Sequence, residues 1–345
     1  MAKITTRSLK DNRTVLHEAV PLDTPFLLGI FLGDICNFKC KYCIQSADEN
    51  RPEKQQLVKK FLEWEHFIKI ADSAKQFPNK IKTVLLTSIG EPLLHPQIVD
   101  MVQYMKRIDL AGNYEIVTNA SMLTPELGKN LVDAGLTRLC ISLQGITEQK
   151  YLDVCGANID YQEFYDNIKA FYTYSRGKCR LHVKTVDISL DPGEELKFME
   201  MYSPYCDTIY IDEVAPVFQG VDYKGVVQNV QAYSEDKYEK NKGVCCGSLF
   251  YTLYTLADGR VAPCCDHPQP MIYGDISKAG LVEIWNSKRR KDFLIQHLTH
   301  RRCENKICAQ CVAPLVREFE EDVLDGQEEK ILKKILEGQM QNAGK

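Results

Sequence analysis

The chain has 345 residues, of which 44% are hydrophobic and 26% are charged, and its net charge is −4. This length suits one large domain plus a smaller one, and the charge gives no basic patch for nucleic acid or an anionic membrane. The N-terminus has no apolar signal core, and no apolar run reaches the roughly 18 residues of a membrane span. We therefore expect a cytoplasmic protein that binds neither membrane nor nucleic acid.

From residue 25, short apolar runs alternate with segments of helical periodicity. Such alternation predicts a mainly parallel sheet with right-handed crossovers. The expected fold class is α/β, a partial (β/α)6 barrel whose ligand lies at the C-terminal ends of the strands. The predicted strands are 25–33, 82–88, 114–118, 138–143, 181–188 and 208–214, and the predicted helices are 53–74, 97–106, 124–134, 161–174 and 194–202.

Composition divides the chain into five expected segments. The stretch after the barrel is polar, and the one after that has short strands of antiparallel type around a turn at Ala257-Asp258-Gly259. Ile331, Leu332, Ile335 and Leu336 form one stripe of a final helix, which favours packing over partner binding. The segments are an N-terminal arm (1–24), the barrel (25–216), a linker (217–244), a small α+β domain (245–316) and a helical tail (317–345).

Fourteen cysteines are unusual in a chain with no export signal, because disulfides are rare in a reducing compartment. Most of them lie in groups, which indicates metal binding. Isolated cysteines are more often small buried hydrophobes. The groups are Cys36 to Cys43, Cys245 and Cys246, Cys264 and Cys265, and Cys303 to Cys311, and the isolated residues are Cys140, Cys155, Cys179 and Cys206.

The first group, Cys36, Cys40 and Cys43, has the spacing C-x3-C-x2-C directly after the first predicted strand. Three thiols in a tight loop can reach one metal centre. A fourth ligand is not close in sequence, since the next histidine is His66 and the next cysteine is Cys140. A four-iron cluster with one open iron, a zinc-binding loop and free thiols all remain possible from this spacing alone.

With Tyr42 as the aromatic residue, the loop resembles the C-x3-C-x-aromatic-x-C signature of the radical S-adenosylmethionine (SAM) enzymes. The resemblance implies that the three cysteines hold a [4Fe-4S] cluster whose fourth iron binds SAM. It implies that an electron from this cluster cleaves SAM to methionine and a 5'-deoxyadenosyl radical, which takes a hydrogen atom from the substrate. A low-potential electron donor such as flavodoxin or ferredoxin is then the expected protein partner.

Three strand ends resemble the SAM-binding motifs of that family. Ser88-Ile89-Gly90-Glu91-Pro92 is similar to G-G-E-P, which binds the SAM amino group through backbone carbonyls, with Ile89 in place of the first glycine. Thr118-Asn119-Ala120 is similar to T-N-G. Ser142-x-Gln144 is similar to S-x-D-G, which implies contacts to the ribose hydroxyls, although Gln144 replaces a charged aspartate. Ordinary polar strand ends are the alternative.

Charged residues occupy positions that should face the barrel interior, where an unpaired charge is costly. Lys184 is expected to pair with a carboxylate of the substrate or of SAM, and Asp212 or Glu213 with a substrate hydroxyl or amine. A salt bridge at the mouth of the barrel is an equally open alternative.

The later cysteines, with G-D-I at 274–276 and L-V-E-I-W-N-S-K-R-R at 281–290, resemble a SPASM or twitch domain, which holds an auxiliary cluster. Too few cysteines are present for two further complete clusters, so the resemblance implies one auxiliary [4Fe-4S] cluster. A zinc ribbon is the alternative. The expected ligands are Cys246, Cys264, Cys308 and Cys311, with Cys245 and Cys303 as possible alternates and Cys265 spare.

We therefore expect a radical SAM oxidoreductase of the dehydrogenase type, or an epimerase. The expected substrate is a small polar molecule: a carbohydrate, an aminocyclitol or a sugar nucleotide. For epimerisation, Cys155, Cys206 or Cys265 is the candidate hydrogen donor. A maturase of ribosomal peptides is an alternative, disfavoured because the roughly 35 residues before Cys36 are too few for a leader-binding domain. A non-catalytic iron–sulfur or zinc scaffold is the third possibility.

Overall fold

The computed structural model describes residues 2–5, 13–227, 244–316 and 319–343. Parts of three predicted segments lie outside these ranges: residues 1 and 6–12 of the arm, 228–243 of the linker, and 317, 318, 344 and 345 of the tail. The division into five segments therefore stays a prediction.

Within the described residues, ten strands form one sheet in the order β1-β7-β6-β5-β4-β3-β2-β8-β9-β10. The strands from β1 to β8 pair in parallel, whereas β9 and β10 are antiparallel to their neighbours. The strands are β1 (Lys3–Ile4), β2 (Leu27–Phe31), β3 (Ile81–Thr87), β4 (Ala111–Thr118), β5 (Arg138–Leu143), β6 (Arg180–Val186), β7 (Thr208–Asp212), β8 (Thr252–Thr255), β9 (Arg260–Ala262) and β10 (Gly274–Asp275).

Helices alternate with the parallel strands, and the predicted α/β class is confirmed. Strands β2 to β7 lie side by side in chain order, as the partial (β/α)6 barrel requires. The α-helices are α1 (Leu16–Ala19), α2 (Pro52–Gln55), α3 (Trp64–Ala74), α4 (Ile98–Arg107), α5 (Pro125–Ala134), α6 (Glu148–Cys155), α7 (Tyr161–Ser175), α8 (Glu195–Tyr202), α9 (Ser248–Tyr251), α10 (Leu281–Trp285), α11 (Lys288–Leu298), α12 (Lys306–Gln310), α13 (Ala313–Val316) and α14 (Glu328–Ala343).

The two faces of the sheet differ in polarity because side chains alternate along each strand. The face under the helices is fully buried and apolar, with Leu86, Ile116, Ile141 and Val183 all at 0% exposure. The opposite, concave face carries partly exposed polar side chains, among them Ser142. Every parallel strand ends at the same rim, so loops that follow β2 to β7 meet above this concave face.

Capping residues in the sequence account for both ends of α5. Thr124 caps α5, since its hydroxyl accepts the Leu127 amide at 3.1 Å, and Pro125 is the first helical residue. Gly135 ends the same helix with a φ of 108°. In α14, Ile331 and Ile335 are buried while Leu336 is largely exposed, so this helix packs on the domain through part of the predicted stripe.

The predicted helix over 53–74 is wrong in its first half. The structure has the short α2, then an extended stretch, and α3 begins only at Trp64. Backbone contacts with the end of β2 keep this stretch extended. The Leu62 amide donates to the Leu32 carbonyl at 2.9 Å, and Phe61 forms an antiparallel bridge with Gly33. These tertiary hydrogen bonds outweigh helical periodicity.

Other differences are smaller. Residues 187–189 form a 3-10 turn instead of the end of β6, and β7 ends at Asp212. The residues before the predicted turn at 257–259 begin as helix α9 and only then form β8, and α6 is a helix that the predicted elements did not include. Strand β8 pairs in parallel with β2, from Leu27 opposite Thr252 onward, so the C-terminal region extends the barrel sheet. Of the helices in the described ranges, none has the length and apolar character that crossing a membrane demands.

Candidate functional site

The three-cysteine loop, residues 35–44, leaves the rim directly after β2. Gly33 makes the turn with a φ of 146°, and a Cβ there would lie 2.6 Å from the Lys60 carbonyl oxygen. The carboxylate of Asp34 accepts the Val58 amide at 2.6 Å. The sequence therefore fixes where the loop begins by a close backbone contact and a buried carboxylate.

Within the three-cysteine loop, Cys36, Cys40 and Cys43 are all half-buried. The Cys43 amide donates to the Cys40 carbonyl at 2.8 Å, which folds the last two cysteines into one turn. Burial raises the pKa of Cys36 to about 12. A buried thiol of this kind stays protonated until a metal displaces its proton.

Hydrogen bonds to α6 and from Lys54 also hold the three-cysteine loop in place. The amides of Lys39 and Lys41 donate to the carbonyls of Cys155 and Val154 at 2.9 and 3.0 Å, so the loop lies on the C-terminal end of α6. Lys54, which is 3% exposed, donates to the Gln45 carbonyl at 2.7 Å and to the Ile44 carbonyl at 3.2 Å. Because Lys54 falls in the predicted helix over 53–74, where a lysine is expected at the surface, the sequence did not indicate that it supports the three-cysteine loop.

The segment of residues 88–92 packs directly on the three-cysteine loop. The Glu91 amide donates to the Ile35 carbonyl at 2.9 Å. A Cβ added to Gly90 would lie 2.1 Å from the same oxygen, so only glycine allows this approach. Gln45 joins the two, since its Nε2 donates to the carbonyls of Asp34 and Ile89 at 2.8 and 3.1 Å. Gly90 and the three-cysteine loop are therefore in direct contact.

Glu91 links this segment to the end of β4. Its carboxylate accepts the Thr118 hydroxyl at 2.5 Å and the Asn119 amide at 2.7 Å, and also the Leu93 amide at 2.8 Å. Burial nevertheless raises the pKa of Glu91 to about 7. Ala120 follows with a φ of 60°, a conformation that glycine adopts more readily.

Asn119 also reaches the cysteine loop. Its Nδ2 donates to the Asn37 side chain at 3.1 Å, and the Asn37 Nδ2 donates to the Ser121 hydroxyl at 2.7 Å. Sequence reasoning did not select Asn37, although it lies between two of the loop cysteines. The T-N motif, the G-E-P motif and the loop thus form one hydrogen-bonded unit.

Tyr42 and Gln144 meet at the end of β5. The Tyr42 hydroxyl donates to the Gln144 Oε1 at 2.5 Å, and the Gln144 Nε2 donates to the Ser142 carbonyl at 3.0 Å. An amide can accept and donate at once, which the aspartate of the related motif cannot. Gln144 is 3% exposed, so in this structure its amide orients Tyr42, while Ser142 stays partly exposed on the concave face.

Further along the concave face, the register sets Ser142 opposite Lys184 and Lys184 opposite Tyr210. Asp212 lies opposite Val186 at the rim and is partly exposed. Glu213 is exposed beyond the end of β7, because its alternation takes it off the face that carries Asp212. The expectation that Glu213 faces the interior is therefore wrong.

Deeper on the same face lies an ion pair that sequence reasoning missed. Arg138 Nη1 is 3.3 Å from a Glu115 carboxylate oxygen, and both side chains are mostly buried. Next to it, burial and the cations of Arg138 and Lys184 lower the pKa of His182 to about 3. These residues share strand parity with Ser142 and Lys184, which is the signal that could have found them.

Two of the three candidate hydrogen donors are buried away from the concave face. Cys206 is 1% exposed and precedes β7, at the opposite end of the strands from the three-cysteine loop. Cys155 is 1% exposed, donates its thiol to the Tyr151 carbonyl at 3.0 Å and lies against Cys40 behind the loop. Neither position suits transfer of hydrogen to a substrate inside the barrel, which corrects those two expectations.

The C-terminal cysteines line one cavity of about 170 Å³, the four-cysteine cavity. Cys246, Cys264, Cys308 and Cys311 all border it, as does Cys265. The alternates lie elsewhere: Cys245 is 1% exposed in the hydrophobic core, and Cys303 is exposed to solvent. Five thiols therefore border the cavity, and the four expected ligands among them suffice for a single cluster.

A small apolar cluster contacts one cysteine from each of the two groups. Phe31, Ile89 and Tyr254 are buried in it, and Cys43 and Cys265 pack against it. Of the three donor candidates, Cys265 is thus the one that shares this cluster with a cysteine of the three-cysteine loop. The start of the predicted linker also contributes, since Phe218 and Val221 pack on this cluster and the Tyr223 hydroxyl donates to the Tyr42 carbonyl at 3.2 Å.

Across the described residues, no three histidine, cysteine, aspartate or glutamate side chains are grouped as a single-ion site requires. Zinc would need sulfurs only about 3.8 Å apart, given Zn–S bonds of about 2.3 Å. The cysteines of an iron–sulfur cubane each bind a different iron and are spaced more widely.

Comparison with known families gives two matches. A model described as the radical SAM superfamily matches residues 30–202. A model named SPASM, described as an iron-sulfur cluster-binding domain, matches residues 245–312. The first match includes the three-cysteine loop, and the second includes the cysteines of the four-cysteine cavity.

Individual relatives are distant. GTP 3',8-cyclase from Nostoc sp. is 32% identical over 162 residues, which are 46% of this chain and 47% of the cyclase. The chain spans about half the length of the curated relatives it matches.

Two solved structures share the fold. BtrN in complex with AdoMet and 2-DOIA has a TM-score of 0.54 at 16% identity, covering 86% of this chain and 96% of BtrN. Streptococcus suis SuiB bound to precursor peptide SuiA has a TM-score of 0.57 at 14% identity, covering 89% and 76%.

Proposed function

The chain belongs to the radical SAM superfamily and carries a SPASM-type iron–sulfur domain, and on this premise we propose an enzyme that takes a hydrogen atom from a small polar substrate held on the concave face of the barrel. SAM and [4Fe-4S] clusters are the cofactors of such a chain. When bound, the first cluster supplies the electron that releases a 5'-deoxyadenosyl radical from SAM. The substrate class and the outcome of the reaction are part of the proposal.

The residues at the rim suit these cofactors. Cys36, Cys40 and Cys43 would hold the first cluster, because they lie in one short loop as half-buried thiols and the last two share a turn. Backbone groups of 88–92 are held beside them by the close approach at Gly90. The SAM contacts that we propose are Tyr42, Ser88, Gly90, Glu91, Pro92, Thr118, Asn119, Ser142, Gln144 and Lys184.

Within that set, the side chains of Glu91 and Gln144 position other residues of the site, because they form hydrogen bonds to them. The Glu91 carboxylate is occupied by Thr118 and Asn119, and the Gln144 amide by Tyr42. Ser142 and Lys184 are the members left partly exposed on the concave face.

The observation that carries the substrate class is the polarity of this concave face. It presents Ser142, Lys184 and Asp212 near the rim and the Arg138–Glu115 pair below. Charged groups inside a parallel sheet are costly unless they are paired or used. Hydroxyl and amine groups of a sugar, an aminocyclitol or a sugar nucleotide are suitable partners for them.

Two outcomes follow hydrogen removal in this proposal: a two-electron oxidation of the substrate, or return of a hydrogen to the opposite face. Oxidation requires an electron acceptor, and the four-cysteine cavity supplies the thiols that would hold one auxiliary [4Fe-4S] cluster. Epimerisation requires a donor thiol, and Cys265 is the candidate because it packs against the apolar cluster that Cys43 of the three-cysteine loop also contacts.

A ribosomal peptide is the rival substrate. The fold likeness to SuiB raises this possibility without supplying a peptide-binding feature in this chain. A scaffold with no catalytic role is the other alternative. The experiment therefore needs sugar, aminocyclitol, sugar nucleotide and peptide arms.

The test uses anaerobically reconstituted full-length protein with SAM and a chemical reductant in deuterated water. We expect about eight irons per chain from two cubanes, and 5'-deoxyadenosine formed in step with product only in a small-molecule arm. Solvent deuterium on a product carbon would indicate epimerisation, and a two-electron oxidised product would indicate dehydrogenation.

A matched pair of variants tests the site. Asp212→Asn should lower kcat/KM for the substrate at least tenfold, whereas Glu213→Gln, exposed and adjacent, should leave it unchanged. Zinc without iron after anaerobic purification would contradict the proposal, and coupling in the peptide arm alone would contradict its substrate class.

A further inference from the structure

His297, in the last turn of α11, lies on the wall of the four-cysteine cavity. Its side chain is 1% exposed, and neither Nδ1 nor Nε2 has a hydrogen-bond partner among the described residues. A neutral imidazole has one N–H and one acceptor nitrogen, and leaving such groups buried and unpaired is unfavourable. The site is therefore incomplete as the protein alone presents it.

Other buried histidines of the described chain are paired. His95 bonds to the Leu62 carbonyl through Nε2 at 2.9 Å, His182 to the Thr208 hydroxyl at 2.5 Å, and His267 to the Glu53 carbonyl at 2.7 Å. His297 differs from these three in lining a cavity bordered by the proposed cluster ligands. An acceptor inside the cavity would satisfy it.

The surroundings hold the ring in place and keep it neutral. The edge of the Phe293 ring packs on it with centroids 5.0 Å apart. Burial and the Arg302 guanidinium lower the pKa of His297 to about 3. Arg302 is itself 2% exposed on the same cavity wall, and its Nη2 donates to the Cys311 carbonyl at 2.6 Å.

We propose that His297 donates its N–H to a sulfur of the auxiliary cluster and thereby raises the reduction potential of that cluster. Hydrogen bonds to cluster sulfurs stabilise the more negative, reduced state. The nearby Arg302 cation acts in the same direction. This inference rests on the auxiliary cluster of the proposed function, and it favours oxidation of the substrate over epimerisation, since a raised potential suits an electron acceptor.

The test isolates the auxiliary cluster in the full chain carrying Cys36→Ala, Cys40→Ala and Cys43→Ala. In this background only the four-cysteine cavity should hold iron, about four per chain. His297→Phe keeps the ring and removes the N–H, His297→Gln keeps a donor, and His300→Asn alters an exposed histidine three residues on. The midpoint potential is measured by redox titration followed by electron paramagnetic resonance.

We expect His297→Phe to retain its iron and to lower the equilibrium constant for reduction about tenfold, which is about 59 mV for one electron. His297→Gln should recover most of the shift, and His300→Asn should match the parent. An unchanged potential in a fully loaded His297→Phe protein would overturn the inference. Failure of the parent background to bind iron would instead overturn the auxiliary cluster itself, and this inference with it.

A second measurement observes the hydrogen bond directly. Pulsed electron paramagnetic resonance on the reduced parent background, labelled with 15N-histidine, should show weak coupling to one ring nitrogen. The coupling should be absent in His297→Phe. Strong coupling, as for an imidazole bound directly to iron, would overturn the hydrogen-bonding role.

Discussion

The hydroxyl of Thr118 donates a hydrogen bond of 2.5 Å to the carboxylate of Glu91. This bond joins the loop after β3 to the end of β4, and through the Glu91 amide to the Ile35 carbonyl of the three-cysteine loop. Three rim segments that are far apart in sequence are therefore fixed to one another by one buried acidic residue. Their relative positions are held by the protein's own hydrogen bonds, which is the preorganisation that a binding site at a barrel rim requires.

The first prediction concerns the charge of Glu91. Burial raises its pKa from 4.5 to about 7 in the folded chain. Below pH 4.5 the carboxyl is protonated in both states. Between pH 4.5 and 7 the unfolded chain loses the proton and the folded chain keeps it, so the free energy of unfolding falls as the pH rises.

Glu91→Gln removes this dependence. Relative to Glu91→Gln, we expect the parent protein to lose about 3 kcal/mol of its free energy of unfolding between pH 4.5 and pH 7.5. Urea unfolding of the cluster-free proteins across this range measures it. A difference that stays flat, or rises with pH, would show that the carboxylate is charged in the folded chain.

Gly90 gives the second prediction. A Cβ at this position would lie 2.1 Å from the Ile35 carbonyl oxygen, so Gly90→Ala must push the three-cysteine loop away. We expect the variant to lose about four irons per chain and to stop cleaving SAM. Gly112→Ala is the control, because its Cβ would meet only the Lys82 carbonyl oxygen at 3.2 Å. Full iron content in Gly90→Ala would contradict this role of the close backbone contact.

The third prediction concerns Lys54. Its ammonium donates to the Ile44 and Gln45 carbonyls and to the Gln45 side chain at 3.3 Å, while the side chain is 3% exposed. Lys54→Met should lower the free energy of unfolding by about 1–3 kcal/mol and speed iron loss to a chelator.

Lys59→Met is the matched control for that variant. Lys59 pairs with Glu49 at 2.8 Å, but its side chain is 61% exposed, and such surface pairs contribute about 0–1 kcal/mol. Stability and chelator rates are measured on both variants. Equal effects would mean that Lys54 does not position the three-cysteine loop.

Residue spacing and alternation predicted much of the rim. Gly90 and Thr118 could be placed near Cys36 because parallel strands end at one edge, and β2 to β7 follow the chain order. Alternation along β5 likewise set Ser142 on the concave face. The expectation for Glu213 was wrong, because alternation puts adjacent residues on opposite faces and this side chain is exposed just beyond the end of β7 at Asp212.

The unpredicted features depend on contacts distant in sequence. Lys54 looked like a helix surface residue, and only the fold buries it under the three-cysteine loop. The pairing of β8 with β2 joins segments more than two hundred residues apart, which no local pattern encodes. His297 lies in an ordinary amphipathic helix, and its importance appears only once the cavity beside it is known. Spacing also could not show that Cys206 lies at the far end of its strand.

The last prediction decides between neighbouring cysteines that spacing left open. Cys246 borders the four-cysteine cavity, whereas Cys245 is buried in the core, where its amide donates to Asp325 at 3.0 Å. Cys308 borders the same cavity, whereas Cys303 is exposed. In otherwise unaltered protein, Cys246→Ser and Cys308→Ser should each reduce the iron content from about eight to about four per chain, because each removes one of the four expected ligands of the auxiliary cluster. Cys245→Ser and Cys303→Ser should keep about eight. Iron analysis after anaerobic reconstitution measures all four variants, and the assignment is wrong if iron falls in Cys245→Ser while Cys246→Ser stays fully loaded.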